Sequence, residues 1–209
     1  MIFLDSIEST HTYLNKYIEK NKYTYPTAII TANQTQGIGS RDNNWDGESG
    51  NLFFSFVIDK NLLTDDLPLQ SSSIYFSFLL KEILSEMQSK VWLKWPNDFY
   101  LFDKKIGGTI TNLKGSLLYC GIGLNLKHTN ISYGCLDISI DIKKLLIKYF
   151  QRIYEKRTWK KIFSKYRIEF EKSKQYKTTI NNKKVSLCNA FLSEDGSITI
   201  DKKKVFSLR

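Results

Sequence analysis

Residues 91–123 read VWLKWPNDFYLFDKKIGGTITNLKGSLLYCGIG, and this stretch decides the fold. It holds four β-rich runs, 91–95, 98–102, 105–113 and 116–123, joined by Pro96-Asn97, Asp103-Lys104 and Lys114-Gly115. Breaks that short close hairpins, so consecutive runs pair antiparallel into a meander. Upstream, Phe76, Leu79, Leu80, Ile83, Leu84 and Met87 form one stripe of an amphipathic helix, with Ser72 or Ser73 as its cap. Downstream, Ile142, Leu145, Leu146, Tyr149, Phe150 and Ile153 repeat the stripe behind Asp141, and Trp159, Ile162, Phe163, Tyr166 and Phe170 repeat it again. The expectation is a meander with helices on one face.

Further out, a helix starts at Ser9 or Thr10 and carries Tyr13, Leu14, Tyr17 and Ile18 on its apolar side. Residues 27–32 (TAIITA) and 52–58 read as strands around a polar, Gly-rich segment, 33–51, too long for a plain connection in a compact domain. From about Tyr176, short strands alternate with Asn181-Asn182, Asp195-Gly196 and Asp201-Lys202; such a piece buries too little to stand alone and must dock. The fold class is α+β: a mixed, mostly antiparallel sheet backed by helices, with a small C-terminal β module.

Composition narrows the function classes. With 42% hydrophobic and 25% charged residues, the 209-residue chain is neither disordered nor collagen-like, and no apolar run approaches the length a bilayer needs. Without a basic leader region it reads as cytoplasmic. Cys120, Cys135 and Cys188 form no CxxC pair, and His11 and His128 are the only histidines, which argues against disulfide scaffolds and structural zinc. The net charge of +10 is unevenly placed: residues 1–140 hold 12 basic against 14 acidic side chains, residues 141–209 hold 19 against 7. An AT-rich genome explains a lysine excess; a surface that attracts an acidic macromolecule is the alternative.

Four segments carry polar residues in unusual places. The first, QTQGIGSRDNNWDGESGN (34–51), places GxG after a strand, where glycine lets backbone N–H groups approach an anion. It lacks the third glycine of a Rossmann turn and the GKS or GKT of a P-loop, so a surface loop remains open. Trp45 within it either closes over a ligand or pins the loop to the core. The second, Lys94-Trp95-Pro96-Asn97-Asp98, gathers an ammonium, an amide and a carboxylate at one turn; they could hold a phosphate and its Mg²⁺, or make a surface salt bridge. The third sets Gly107-Gly108 inside a strand behind Lys105, a sign of close approach by a ligand or another backbone. The fourth ends a strand in Gly121-Ile122-Gly123-Leu124-Asn125, whose amide could read a purine edge.

Together these segments resemble the class I biotin protein ligase family. STH (9–11) is similar to the family's STN, QTQGIGSRDNNW to its Gly-Arg-rich loop, and ESGNL, KWPND, DKKIGG and GIGLN follow in its order and spacing; the final SLR resembles the end of its SH3-like module. The resemblance implies a class II aminoacyl-tRNA-synthetase-like catalytic domain over 1–174 and an SH3-like β domain over 175–209. It implies no N-terminal DNA-binding domain, hence a monofunctional ligase. Biotin and Mg-ATP would give biotinyl-5′-AMP, and the biotin would pass to a lysine of a biotin carboxyl carrier protein domain of a biotin-dependent carboxylase. Ser9, Thr10, His11, Gln34, Gly37, Ile38, Gly39 and Ser40 would hold biotin, Lys105 would sit between its carboxylate and the α-phosphate, and Gly107 and Gly108 would let ligand pass the strand. Lys94 would bind phosphate, Asn97 or Asp98 would order Mg²⁺ or the attacking amine, and Trp45, Asn51, Asn97, Gly121 and Asn125 would lie near the nucleotide.

The chain departs from the family in its loop. Where the family has GRGRxGRxW this sequence has GIGSRDNNW, leaving Ile38, Ser40 and Asn43 at the arginine positions and only Arg41, shifted by one, to serve phosphate-transfer chemistry. His11 replaces the usual Asn. The alternatives are a lipoate-type ligase and a degenerate, nonenzymatic binding protein.

Overall fold

The computed structural model describes residues 1–39, 44–45, 49–127, 133–181 and 183–206, with backbone alone at 44–45. In chain order the elements are β1 (Ile2–Leu4), α1 (Thr10–Asn21), β2 (Thr27–Thr31), β3 (Gly37–Ile38), β4 (Asn44–Trp45), β5 (Leu52–Asp59), α2 (Ser72–Glu86), β6 (Trp92–Lys94), β7 (Asp98–Leu101), β8 (Lys104–Lys114) and β9 (Leu117–Leu124). There follow α3 (Ile142–Tyr154), α4 (Trp159–Ser173), β10 (Lys177–Ile180), β11 (Lys183–Ser186), β12 (Phe191–Leu192), β13 (Ile198–Ile200) and β14 (Lys203–Val205).

Seven strands form one sheet in the order β1-β2-β5-β9-β8-β7-β6. The meander β6 to β9 is antiparallel as its hairpin breaks require, and β1 alone lies parallel to its neighbour β2. Three residues with no alternating pattern carry no strand signal, so β1 is invisible to periodicity.

The helices do not share one face. Leu14 and Ile18 of α1 pack on Ile29, Val57 and Tyr119, whereas α2, α3 and α4 cover Ile30, Phe54, Phe56, Leu118 and Ile122 of the other face. Alternation along each strand supplies apolar residues to both sides, and α1 takes the second. The stripe on α2 is also wider than its spacing indicates: Ile74, Tyr75, Phe76, Phe78, Leu79, Leu80, Ile83 and Leu84 are all buried, because α3 and α4 close over the flank that a surface helix leaves wet. Neither Ser72 nor Ser73 caps it; a 3-10 turn at Leu69–Ser71 leads in, and Ser72 Oγ donates to Leu69 O. Ser9, Asp141 and Thr158 do cap α1, α3 and α4 by accepting backbone N–H bonds.

The C-terminal strands dock as their small size demands. Leu187, Ala190, Ile198 and Ile200 belong to the main core, and the indoles of Trp95 and Trp159 donate to the carbonyls of Gly196 and Glu194 at 3.0 and 2.7 Å. Gly196 has φ +79°, and a Cβ there would meet Ser71 Oγ at 2.4 Å, so no other residue fits.

Candidate active site

Register builds the site. Directly opposed residues of an antiparallel pair point to the same face, so three rows cross the α1 side of the sheet. One runs Thr27, Val57, Tyr119, Asn112; the next Ile29, Ser55, Gly121, Ile110; the last Thr31, Phe53, Gly123, Gly108, Asp98. Helix α1 covers the first row. Beyond its N-terminus, glycines in the other two leave a trough where side chains would stand: a Cβ on Gly121 would press on Ile110 Cγ1 at 3.1 Å and Ser55 Oγ at 3.2 Å.

Over this floor lies a cavity of about 320 Å³, lined by Ser9, Thr10, His11, Gln34, Ile38, Gly39, Asn97, Asp98, Lys105, Gly108, Gly121 and Asn125 among the expected residues. Phe53, Ser55, Thr109, Ile110, Ile122, Gly123 and Tyr133 complete its wall. Ser55 had a signal in the sequence, a lone hydroxyl in the buried run FFSFV, and Gly123 is the second glycine of GIGLN. Tyr133 had none.

The two ends differ chemically. At the α1 end, Gln34 Oε1 accepts from Thr10 N at 2.7 Å and Thr10 Oγ1 at 2.9 Å, and Thr10 Oγ1 lies 2.8 Å from Ser55 Oγ. Gln34 thus satisfies a helix-start N–H that has no partner within the helix and fixes three polar side chains at the wall. His11 is half-buried beside them; burial, ahead of the opposing effect of the Asn112 amide, holds its imidazole below the ordinary histidine range.

At the other end, Asp98 stands between two ammonium groups, Lys105 Nζ at 2.7 Å from Oδ1 and Lys94 Nζ at 3.6 Å from Oδ2. Lys105 faces the cavity. Lys94 does not: it is buried, its Nζ rests 5.2 Å from the Tyr100 ring centre, and desolvation lowers its pKa despite Asp98. Lys94 therefore stands behind Asp98. Asn97 ties the turn to β8 through its Nδ2, which donates to Thr109 O, while Thr109 N donates to Asn97 O.

Other expected residues serve the frame. Asn51 Oδ1 accepts from Leu126 N at 2.8 Å and Lys127 N at 3.3 Å, outside the cavity wall. Gly107 faces the opposite side, where a Cβ would lie 2.6 Å from Gly123 O. Gly37 is backbone-paired with Trp45, so 33–51 contains a short ribbon, β3–β4, in place of wholly irregular chain. Asn125 does both jobs: it lines the cavity and donates from Nδ2 to Gly134 O at 3.2 Å. Ser40 and Arg41, and the side chain of Trp45, lie outside the described residues.

No three of the described His, Cys, Asp and Glu side chains gather to hold a metal. Asp98 is the one carboxylate among the described residues of the cavity wall and already turns one oxygen to each lysine, so these residues by themselves do not fit a protein-built Mg²⁺ site.

A mixed seven-stranded sheet carries a glycine-floored cavity, polar at one end and lysine–carboxylate at the other, the make-up of a small-molecule site. The chain belongs to the biotin/lipoate A/B protein ligase family, whose model matches residues 3–126. It superposes with TM-score 0.92 and 39% identity, over 98% of this chain and 97% of the other, on the biotin acetyl coenzyme A carboxylase synthetase of Helicobacter pylori, crystallised with biotinylated ATP. The biotin protein ligase of Aquifex aeolicus shares the fold at 24% identity and TM-score 0.74, over 100% of this chain and 95% of that one. The bifunctional ligase/repressor BirA of Escherichia coli is 31% identical over 130 residues, 59% of this chain, and that match spans only 39% of BirA.

Proposed function

We propose that the protein is a biotin protein ligase: it joins biotin to ATP as biotinyl-5′-AMP and passes the biotinyl group to one lysine of a biotin carboxyl carrier domain. The observation that carries this is the cavity itself. Its hydroxyl and amide end suits the urea of biotin, its glycine floor leaves room for a compact bicycle, and Lys105 at the other end is the cation we assign to the meeting of valeryl carboxylate and α-phosphate. The likeness to the Helicobacter pylori synthetase supports it.

In this reading residues 1–174 are the catalytic unit and 175–209 the docked β module. In the first step a biotin carboxylate oxygen attacks the α-phosphorus and pyrophosphate leaves. Lys105 offsets the charge that builds on the phosphoryl oxygens, and Asp98 holds that ammonium in place. In the second step the acceptor amine attacks the acyl carbonyl, AMP leaves, and Asp98 is the carboxylate nearest to orient the amine. Mg²⁺ enters with ATP as part of the substrate.

Incubation with Mg-ATP, biotin and a carrier domain should add one biotinyl group to a single lysine, read by mass spectrometry. Modification with lipoate in place of biotin would instead assign the lipoate branch of the family.

A further inference from the structure

A polar seam runs beneath α1 at the edge of the cavity. His11 lines the cavity, yet its Nδ1 is sealed from solvent without a hydrogen-bond partner, and so are Oδ1 of Asn112 on β8 and Oδ1 of Asn15, whose Nδ2 is already given to His11 O one turn back along α1. Buried polar atoms are nearly always paired, so bare ones on neighbouring side chains require a reason. Register sets Asn112 directly opposite Tyr119 on the α1 side of the sheet, and Tyr119 in turn meets the His11 ring, so Asn112 and His11 share one small region. An amide oxygen is the part of such a neighbour that can accept from a ring N–H. Tyr119 sets the ring plane, edge-on at 6.4 Å between centroids.

We propose that Asn112 is a positioning residue for the cavity: its Oδ1 accepts a hydrogen bond from the Nδ1–H of His11 when the cavity is filled, so the neutral ring offers the Nε2 lone pair to a ligand N–H. The inference rests on the reading that the cavity takes biotin, whose urea carries two N–H donors. An imidazolium donates from both nitrogens and would meet a urea N–H with a like group. The cavity is therefore tuned for neutral His11, and acid should release the ligand. The charged and titratable groups facing His11 are Lys114 of β8, Tyr119 of β9, whose phenol burial pushes up, and Glu19 of α1 through its 3.8 Å pair with Lys114.

Biotin affinity measured by calorimetry from about pH 8 to about pH 5.5 tests this across the histidine range. Wild type should hold a plateau at the alkaline end and lose about tenfold per pH unit once the ring protonates. Asn112→Leu should weaken binding about tenfold at pH 8, the loss of one oriented hydrogen bond, and shift the acid limb to lower pH, since it removes a group favouring the charged ring. Asn112→Asp should shift the limb upward, and His11→Asn should abolish it. Wild-type profiles in both Asn112 variants, or an acid limb surviving in His11→Asn, would overturn the proposal. Wild-type protein that binds no biotin at any pH would overturn the biotin reading itself, and this inference with it.

Discussion

Asp98 is the residue on which the two lysines depend. Removing it strands the buried Lys94 ammonium, so Asp98→Ala should cost about 1–3 kcal/mol, less than the several expected of a fully buried pair because Asp98 is partly exposed. Urea unfolding would measure it, and Lys94→Met in the same chain should recover part of the loss. An Asp98→Ala protein as stable as wild type would contradict the pairing. Lys105→Ala, by contrast, should fold normally and slow adenylate formation about 10²–10³-fold, the usual effect of losing one group that stabilises developing charge. His11 adds a pH term: its lowered folded pKa means that its contribution is complete above the unfolded value of about 6.5 and is lost as pH falls through the folded one. Melting temperature should drop on that acid side, and less in His11→Asn. Most of these residues were legible because chemistry-bearing types stood at strand ends. The exceptions have geometric causes: Lys94 and Asp98 lie on one turn in sequence, but only the fold shows that Lys94, directly opposite Asp98 on the edge strand β6, is buried against Tyr100 while Lys105 lines the cavity. Asn51, expected near the nucleotide, gives its Oδ1 to the backbone N–H groups of Leu126 and Lys127, a use of the amide that its place in the sequence does not show.

At the scale of elements, hairpin breaks and helical stripes are enough to read β6 to β9 and α3 within about one residue of their limits, while α1 and α4 run three residues beyond their last apolar positions. What periodicity lacks is a sense of side. It counted α1 with the other helices, and it read α2 as amphipathic when its neighbours bury almost all of it, because both depend on contacts far along the chain. The C-terminal strands show the reverse: the Asp195-Gly196 turn was plain in the sequence, and its reason to be glycine is tertiary. Gly196→Ala should destabilise by about 2–4 kcal/mol, combining left-handed backbone strain with the clash on Ser71. Thermal unfolding would show it; an unchanged midpoint would mean that the β module is not locked to the start of α2 there.

For the whole molecule the placement of charge matters more than its sum. Some of the basic side chains of the last third are used internally, Glu82 alone receiving Arg152, Arg157 and Lys165. Lys143, Lys160, Lys161, Lys183 and Lys184 are exposed. If they steer an acidic carrier domain, higher ionic strength should slow biotin transfer more than adenylate formation, since screening acts on the encounter of two macromolecules over about 10 Å. Equal sensitivity of the two steps would remove that role. The central claim is that one cavity activates biotin with ATP, and isotope exchange between pyrophosphate and ATP tests it most directly, run with biotin, with lipoate and with neither. Exchange dependent on biotin alone is the predicted result; exchange dependent on lipoate alone, or none with either acid, would contradict it.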